Sequence, residues 1–308
     1  MLKKIINNVE QVIIGKREAI ELVVIALISN GHVLLEDVPG VGKTRLIAAV
    51  ARSIDGSFKR IQFTADVLPS DITGFSVYNQ KTGEFDFKNG AIMSQFVLAD
   101  EINRTSPKTQ AALLEAMEEK QISVDGVTYK MPQPFMVMAT QNPIEFMGTF
   151  PLPEAQLDRF LIKISIGYPD AESERSVLTM HQMDDPFKSL QPVATTDDIV
   201  NIQNEVKKVF VHENLEKYIV SLVSATRNHP SVRLGASPRA SLALYRTAQA
   251  SAYIDGRDYV VPDDIQKMVI PVMAHRIILS QETKFSNTIA DDVLNEIIKS
   301  TPVPTGKK

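Results

Sequence analysis

The sequence contains no cysteine among its 308 residues. Disulfide bonds and thiolate metal sites are therefore excluded, and the composition is compatible with a reducing cytoplasm. The chain also lacks a long apolar run, because the most apolar predicted helix, residues 19–29, is too short to cross a bilayer and contains Glu21. The first residues have no signal-peptide core. We expect a cytoplasmic protein without a membrane span.

An excess of positive charge is missing as well. The chain has 33 Lys and Arg residues against 37 Asp and Glu residues, a net charge of −4, and a pI near 5.8. Because the lysines form no convincing cluster, little counterion release would drive association with nucleic acid, and we expect no nucleic-acid partner. The hydrophobic content of 44% is ordinary for a globular protein, and the length suffices for two domains.

What the sequence does contain is a glycine-rich loop between a buried strand and a helix. The largely apolar run 32–36 predicts the strand, and residues 45–54 have helical spacing of their apolar side chains. In this context backbone N–H groups cradle phosphates, a lysine reaches the outer phosphates, and a threonine hydroxyl binds Mg²⁺. The alternative is a glycine turn before an ordinary helix. The predicted nucleotide-binding residues of the loop are Asp37, Val38, Pro39, Gly40, Val41, Gly42, Lys43, Thr44 and Arg45.

Asp37 departs from the usual pattern, which begins with glycine. A carboxylate near phosphates should repel them. We therefore expect the Asp37 side chain to point away from the loop, leaving Pro39 and Gly40 to make the turn.

Polar residues follow two further predicted strands, residues 94–99 and 135–140. At the first, Asp100 would hold Mg²⁺ through water, and Glu101 would orient and deprotonate the attacking water. The alternative is a helix cap after a core strand. It is less favoured because the carboxylate pair and the glycine loop are both expected at the same edge of the sheet. At the second, Asn142 could hold the water, although alone it would be a turn residue before proline.

Two arginines are candidates for stabilising charge on a transferring phosphoryl group. Arg159 lies on a short predicted helix, where the alternative is a surface ion pair with Asp158 or Glu154. Arg239 lies in the first turn of a helix with Ser237 as its N-cap. A cation there opposes the helix dipole, and this conflict points to a nearby phosphate.

Strands alternate with helices in the first half of the chain, which predicts a parallel sheet with crossover helices. Two hairpins interrupt this pattern, at residues 75–87 and 122–130, the second marked by Asp125-Gly126. From Ala171 onward we predict only helices. The predicted domains are an α/β nucleotide-binding core (1–168), a helical linker (169–192) and a helical lid (193–308).

Taken together, these motifs resemble AAA+ ATPases, and more narrowly the MoxR family. The resemblance rests on residues 34–44, 100–104, 141–143 and 152–160, and it is thinner around 237–239. It implies an AAA+ P-loop core, with the two hairpins as the helix-2 insert and the pre-sensor-1 hairpin, plus an all-α lid. Its implied roles are Walker A for Lys43 and Thr44, Walker B for Asp100 and Glu101, sensor 1 for Asn142, arginine finger for Arg159, sensor 2 for Arg239, and adenine contact for Val12, Ile13, Ile14 and Gly15.

The resemblance also implies an activity and partners. They are Mg²⁺-dependent ATP hydrolysis, a homo-oligomeric ring (a hexamer), a protein substrate and a von Willebrand factor A domain partner. ATP hydrolysis would drive chaperone-like remodelling, assembly or metal-cofactor insertion in partner proteins. Two alternatives stay open: a nucleotide-switched binding module with negligible turnover, and a DNA-acting motor, which the acidic pI disfavours. Intact Glu101, Asn142 and Arg159 favour hydrolysis over a pure switch.

Overall fold

The computed structural model describes residues 1–38, 40–141, 149–181, 186–285 and 288–304. Compact packing divides the chain into two units, the first comprising 1–153 and 164–200 and the second 154–163 and 201–308. The domain boundaries near residues 168 and 192 remain predictions. In the structure, residues 154–163 pack with the second unit.

The first nine strands, β1 to β9, lie close to their predicted positions. In chain order they are β1 (Val33–Glu36), β2 (Phe58–Gln62), β3 (Gly74–Asn79), β4 (Glu84–Asn89), β5 (Phe96–Asp100), β6 (Gln121–Val124), β7 (Val127–Lys130), β8 (Met136–Gln141), β9 (Ile162–Ile164), β10 (Val232–Leu234) and β11 (Ile278–Leu279). One five-stranded sheet has the order β2-β5-β8-β1-β9, and its pairs β2–β5, β5–β8 and β1–β8 are parallel. This confirms the predicted parallel sheet.

Helices account for most of the remaining regular structure. They are α1 (Leu2–Glu10), α2 (Arg17–Ile28), α3 (Lys43–Ser53), α4 (Pro69–Thr73), α5 (Pro107–Glu119), α6 (Glu154–Leu157), α7 (Ala171–His181), α8 (Pro186–Ser189), α9 (Thr196–Val206), α10 (Glu213–Asn228), α11 (Pro238–Ile254), α12 (Pro262–Met273), α13 (Gln281–Phe285) and α14 (Ala290–Ser300). A 3₁₀ turn, Ile102–Arg104, follows β5. Among the described residues, none of the helices combines the length and the apolar character that crossing a membrane requires.

Both predicted hairpins are present in the first unit, as the antiparallel pairs β3–β4 and β6–β7. Asp125 and Gly126 have φ values of 51° and 80°, as a two-residue turn with both central residues left-handed requires. The Phe87 ring stacks on Tyr129 with 4.0 Å between ring centroids. The two hairpins therefore contact each other.

The second unit is helical, as predicted, with one correction. The prediction of helices alone after residue 170 is wrong at β10 and β11, which form an antiparallel ribbon pairing Val232 with Leu279. Strands of three and two residues are too short to show a period-2 pattern, so they could not be predicted from the sequence.

Candidate functional site

The carboxyl ends of the parallel strands meet at one edge of the sheet. The register pairs Gln62 with Asp100, Ala99 with Ala139 and Glu36 with Gln141, so β1, β2, β5 and β8 end within one residue of one another. Ligands bind outside this edge in open α/β sheets. A cavity of about 410 Å³ opens here, lined by Gly40, Gly42, Lys43, Thr44, Arg45, Arg60, Gln62, Asp100 and Glu101.

The glycine loop leads from β1 into α3 along one wall of this cavity. Gly40 and Gly42 have φ values of 88° and 90°, a conformation that favours glycine. Gly42 is the N-cap of α3, and the backbone N–H groups at the N-terminus of a helix can bind an anion. Pro39 lies outside the described residues, and Val38 and Val41 are half-buried.

Lys43 is the first residue of α3, and its side chain is partly withdrawn from water. Its Nζ donates to the backbone carbonyl oxygen of Asp37 at 2.7 Å. Burial lowers the pKa of Lys43, whereas the negative charges of Asp37, Asp100 and Glu101 act to raise it. An ammonium group in this position is stabilised when phosphate oxygens form charge-assisted hydrogen bonds with it in place of the water it has lost.

The Asp37 carboxylate points to a different part of the first unit. The backbone N–H of Ile166 donates to Asp37 Oδ2, and that of Gly167 lies 3.2 Å from Oδ2 and 3.3 Å from Oδ1. The side chain is buried and is not among those lining the cavity. The repulsion that a carboxylate would exert on phosphates is thus reduced by its orientation, in agreement with the expectation from the sequence.

Asp100 and Glu101 are held at the end of β5 by Thr140 on the neighbouring β8. Thr140 Oγ1 donates to Asp100 Oδ1 at 2.6 Å and accepts from the Glu101 backbone N–H at 2.8 Å. Glu101 has φ 59° and ψ 48°, a left-handed conformation that is uncommon outside glycine and is found at functional sites. It lets two consecutive carboxylates border the same cavity.

Two residues of β2 complete this wall, and the sequence reasoning missed both. Arg60 forms an ion pair with Asp100, with Nη2 at 2.6 Å and Nε at 3.1 Å from Oδ2. Gln62 donates to Glu101 Oε2 at 2.8 Å, and Arg104 Nε lies 3.2 Å from the same oxygen. The sequence signal for these two residues was that Arg60 and Gln62 occupy alternate positions of β2 and therefore share a face of the strand. The sequence does not show that β2 lies beside β5 in the sheet.

The segment between α1 and α2 packs beside the glycine loop. Val12 and Ile13 are buried, and Ile13 Cδ1 lies 3.9 Å from where a Cβ on Gly42 would be. Gly15 has φ 70°, and a Cβ there would lie 2.1 Å from Ser173 Oγ. With Ile14, these are the residues predicted to approach adenine, and among them Ile13 lies next to the glycine loop.

The predicted arginines belong to the second unit. Arg159 follows α6, and Arg239 is the second residue of α11, whose N-cap Ser237 accepts from the Arg239 backbone N–H. Asn142 lies outside the described residues. The structure therefore brings together Lys43, Thr44, Asp100 and Glu101 in the first unit, and it places both arginines in the second unit.

The donor set suits a nucleotide with a hard cation. Hydroxyl and carboxylate oxygens from Thr44 and Asp100 border the cavity, and such oxygens are the ligands Mg²⁺ prefers. Among the described residues, no three His, Cys, Asp or Glu side chains cluster as a closed metal site.

Comparisons with known proteins agree with this geometry. Residues 32–162 match the model of the ATPase family associated with various cellular activities (AAA), and residues 224–297 match the AAA lid domain. Chaperone MoxR1 of Mycobacterium tuberculosis is 42% identical, covering 98% of this chain and 82% of that protein. YeaC of Bacillus subtilis is 52% identical, with 99% and 95% covered. A crystal structure from Cytophaga hutchinsonii superposes with a TM-score of 0.91 at 41% identity, covering 98% of this chain and 94% of that one.

Proposed function

This chain belongs to the MoxR family of AAA+ ATPases, and we propose that it uses ATP hydrolysis to remodel or assemble partner proteins, including the insertion of metal cofactors. The proposal rests mainly on the observation that one cavity is bordered by all four of the residues Lys43, Thr44, Asp100 and Glu101. A phosphate-binding loop and a candidate general base at one site suit hydrolysis. The name of the relative Chaperone MoxR1 supports action on proteins.

In the proposed reaction, the α3 N-terminus and Lys43 bind the phosphates of ATP, and Thr44 and Asp100 would hold Mg²⁺. The cation would neutralise charge on the phosphate oxygens. Glu101 takes the proton of the attacking water, and Gln62 and Arg104 hold its carboxylate in place. We assign Asn142 to positioning that water and Arg239 to contacting phosphate.

We further propose that the chain works as a ring, a hexamer, in which Arg159 acts on the neighbouring subunit's nucleotide. Lys43 already supplies a cation to its own phosphates, whereas Arg159 lies on a segment that packs with the helical unit. A von Willebrand factor A domain protein is the proposed partner, and the proposed location is the cytoplasm.

The remodelling proposal is tested with a variant that binds ATP without hydrolysing it. Glu101→Gln should retain a partner protein in the presence of ATP, and Lys43→Ala should retain none. Wild-type protein with ATP should then change the captured partner's own oligomeric mass or metal content, measured by native mass spectrometry. Equal capture by Lys43→Ala, or a partner that wild-type protein leaves unchanged, would contradict the proposal. A wild type with negligible turnover would instead support the switch.

The trans assignment of Arg159 predicts that two inactive variants restore activity in each other. A finger supplied in trans contributes about 10³–10⁵-fold in rate, so Arg159→Ala should bind ATP and hydrolyse almost none. Lys43→Ala should bind no ATP but keeps Arg159. Mixtures under subunit exchange should regain phosphate release, because some interfaces pair an intact pocket with an intact finger. Substantial hydrolysis by Arg159→Ala alone, or no recovery at any ratio, argues against the assignment.

A further inference from the structure

Asp158, the residue before Arg159, uses its two carboxylate oxygens in different directions. Oδ1 accepts from Arg276 Nε at 2.7 Å, beyond the end of α12. Oδ2 accepts from Ser237 Oγ at 2.8 Å, at the start of α11. Ser237 Oγ in turn accepts from the backbone N–H of Arg239 at 3.1 Å. One short chain of hydrogen bonds therefore connects the residue before Arg159 to the N–H of Arg239, entirely within the second unit.

Arg276 fixes the backbone on both sides of Arg159. Its guanidinium donates to the carbonyl oxygens of Asp158 at 3.2 Å, Phe160 at 2.6 Å and Leu161 at 3.0 Å. The Arg276 side chain is only 3% exposed, and its ion pair with Asp158 makes this burial tolerable. Residues flanking Arg159 are thus clamped, while Arg159 itself is half-buried.

His275 adds a further contact to the same segment. Because a carbonyl oxygen only accepts, His275 Nε2 carries the proton and donates to Phe160 O at 3.0 Å. Burial and the neighbouring Arg276 charge lower the pKa of His275 well below its ordinary value. The ring is therefore neutral and adds no second positive charge beside the clamp.

We propose that Asp158 is a positioning residue that holds Arg159 and Arg239 as one element, with Arg276 as its clamp and Ser237 as its link to α11. The inference rests on the proposed function, in which both arginines act on phosphate charge. Its consequence is coupling: a change at one arginine is transmitted to the other through Ser237 and Asp158. A merely structural ion pair would not require the Ser237 link.

Ser237→Ala is the sharpest variant, because it removes the link and leaves the Asp158–Arg276 pair intact. Truncating Asp158 or Arg276 would strand a buried charge and could unfold the unit. Ser106→Ala is the matched control, since Ser106-Pro107-Lys108 opens α5 as Ser237-Pro238-Arg239 opens α11, with the serine as N-cap in both. Ser237→Thr keeps a hydroxyl and should behave as wild type.

The activity test places these changes in the chain that donates the finger. Lys43→Ala carrying Ser237→Ala is mixed with Arg159→Ala, so the hydrolysing subunit keeps its own Ser237 and Arg239. Loss of a hydrogen bond to a charged group should lower the recovered rate about tenfold or more. A donor carrying Ser106→Ala or Ser237→Thr should recover the rate of the Lys43→Ala donor. Recovery by the Ser237→Ala donor within about twofold of that rate would overturn the proposal.

A second readout does not depend on activity. Amide hydrogen exchange over residues 158–160 should accelerate about tenfold in Ser237→Ala and stay unchanged in Ser106→Ala. If the Lys43→Ala donor itself restores no activity, the assignment of Arg159 to the neighbouring subunit fails, and the exchange measurement alone decides whether Asp158 is a positioning residue. Unchanged exchange in Ser237→Ala would overturn the positioning role of Asp158.

Discussion

Asp37 is the one residue of the glycine loop that departs from the usual pattern, and its hydrogen bonds explain how it is accommodated. The carboxylate accepts from two backbone N–H groups, those of Ile166 and Gly167. It thereby ties the start of the phosphate loop to the segment that follows β9. Glycine, the usual residue, could not make this connection.

Asp37→Ala should destabilise the first unit because it leaves the buried N–H of Ile166 and the part-buried N–H of Gly167 without an acceptor. An unsatisfied buried group costs about 1–3 kcal/mol and a part-buried group costs less, so we expect the free energy of unfolding in urea to fall by about 2–4 kcal/mol. Asp37→Asn keeps one acceptor oxygen and should lose less. ATP affinity of Asp37→Asn, measured by calorimetry, should change little, since this side chain does not line the cavity. Wild-type stability in Asp37→Ala, with the exposed Asp66→Ala as control, would contradict this role.

The positions of the candidate site residues were predictable where local sequence determines them. Lys43 and Thr44 follow a glycine loop, and Asp100 and Glu101 follow an apolar run, so each could be placed at the edge of a sheet. Arg60 was not predictable, because its importance depends on β2 lying beside β5. Strand order is a property of the whole fold, and a single sequence does not display it.

Among the secondary-structure elements, β8 and α5 are tied together by one histidine just before β1. His32 Nε2 donates to Met117 O at 3.0 Å, and Nδ1 accepts from the Val137 backbone N–H at 3.0 Å. Both contacts require the neutral ring protonated at Nε2. Burial lowers the pKa of His32 from 6.5 to about 4.

This arrangement predicts an acid-dependent loss of stability. Unfolded His32 binds a proton near pH 6.5, and the folded ring does not until about pH 4. The stabilisation is therefore complete above pH 6.5 and is lost as the pH falls towards 4, by up to about 1.4 kcal/mol per pH unit. His32→Asn should reduce the slope of urea stability against pH in this window, and His212→Asn, at an exposed N-cap, should not. Equal slopes in wild type and His32→Asn would contradict the prediction.

Elements with strong local signals were predicted well. Asp125-Gly126 specified a hairpin, and Ser106-Pro107 specified the start of α5, because turn and cap chemistry act over two or three residues. The β10–β11 ribbon was missed because its strands are short and lie more than 40 residues apart along the chain.

At the scale of the whole molecule, the chain combines an ATP-binding α/β unit with a helical unit that carries two further candidate arginines. The parallel sheet and the helical lid were predictable from the alternation of strands and helices and its end near Ala171. The association of residues 154–163 with the second unit was not, because a sequence shows where a segment lies along the chain and not which unit it packs against.

The central claim is that Glu101 is the general base of an ATPase whose phosphates are bound by Lys43. The most direct test measures ATP affinity by calorimetry and steady-state phosphate release for the same preparations. Glu101→Gln should bind ATP with near wild-type affinity and lose about 10²–10⁴-fold in turnover, because an amide keeps the shape but accepts no proton. Lys43→Ala should lose ATP binding, and Glu119→Gln, at an exposed helix end, should match the wild type in both. Phosphate release by Glu101→Gln within a few-fold of wild type would contradict the account.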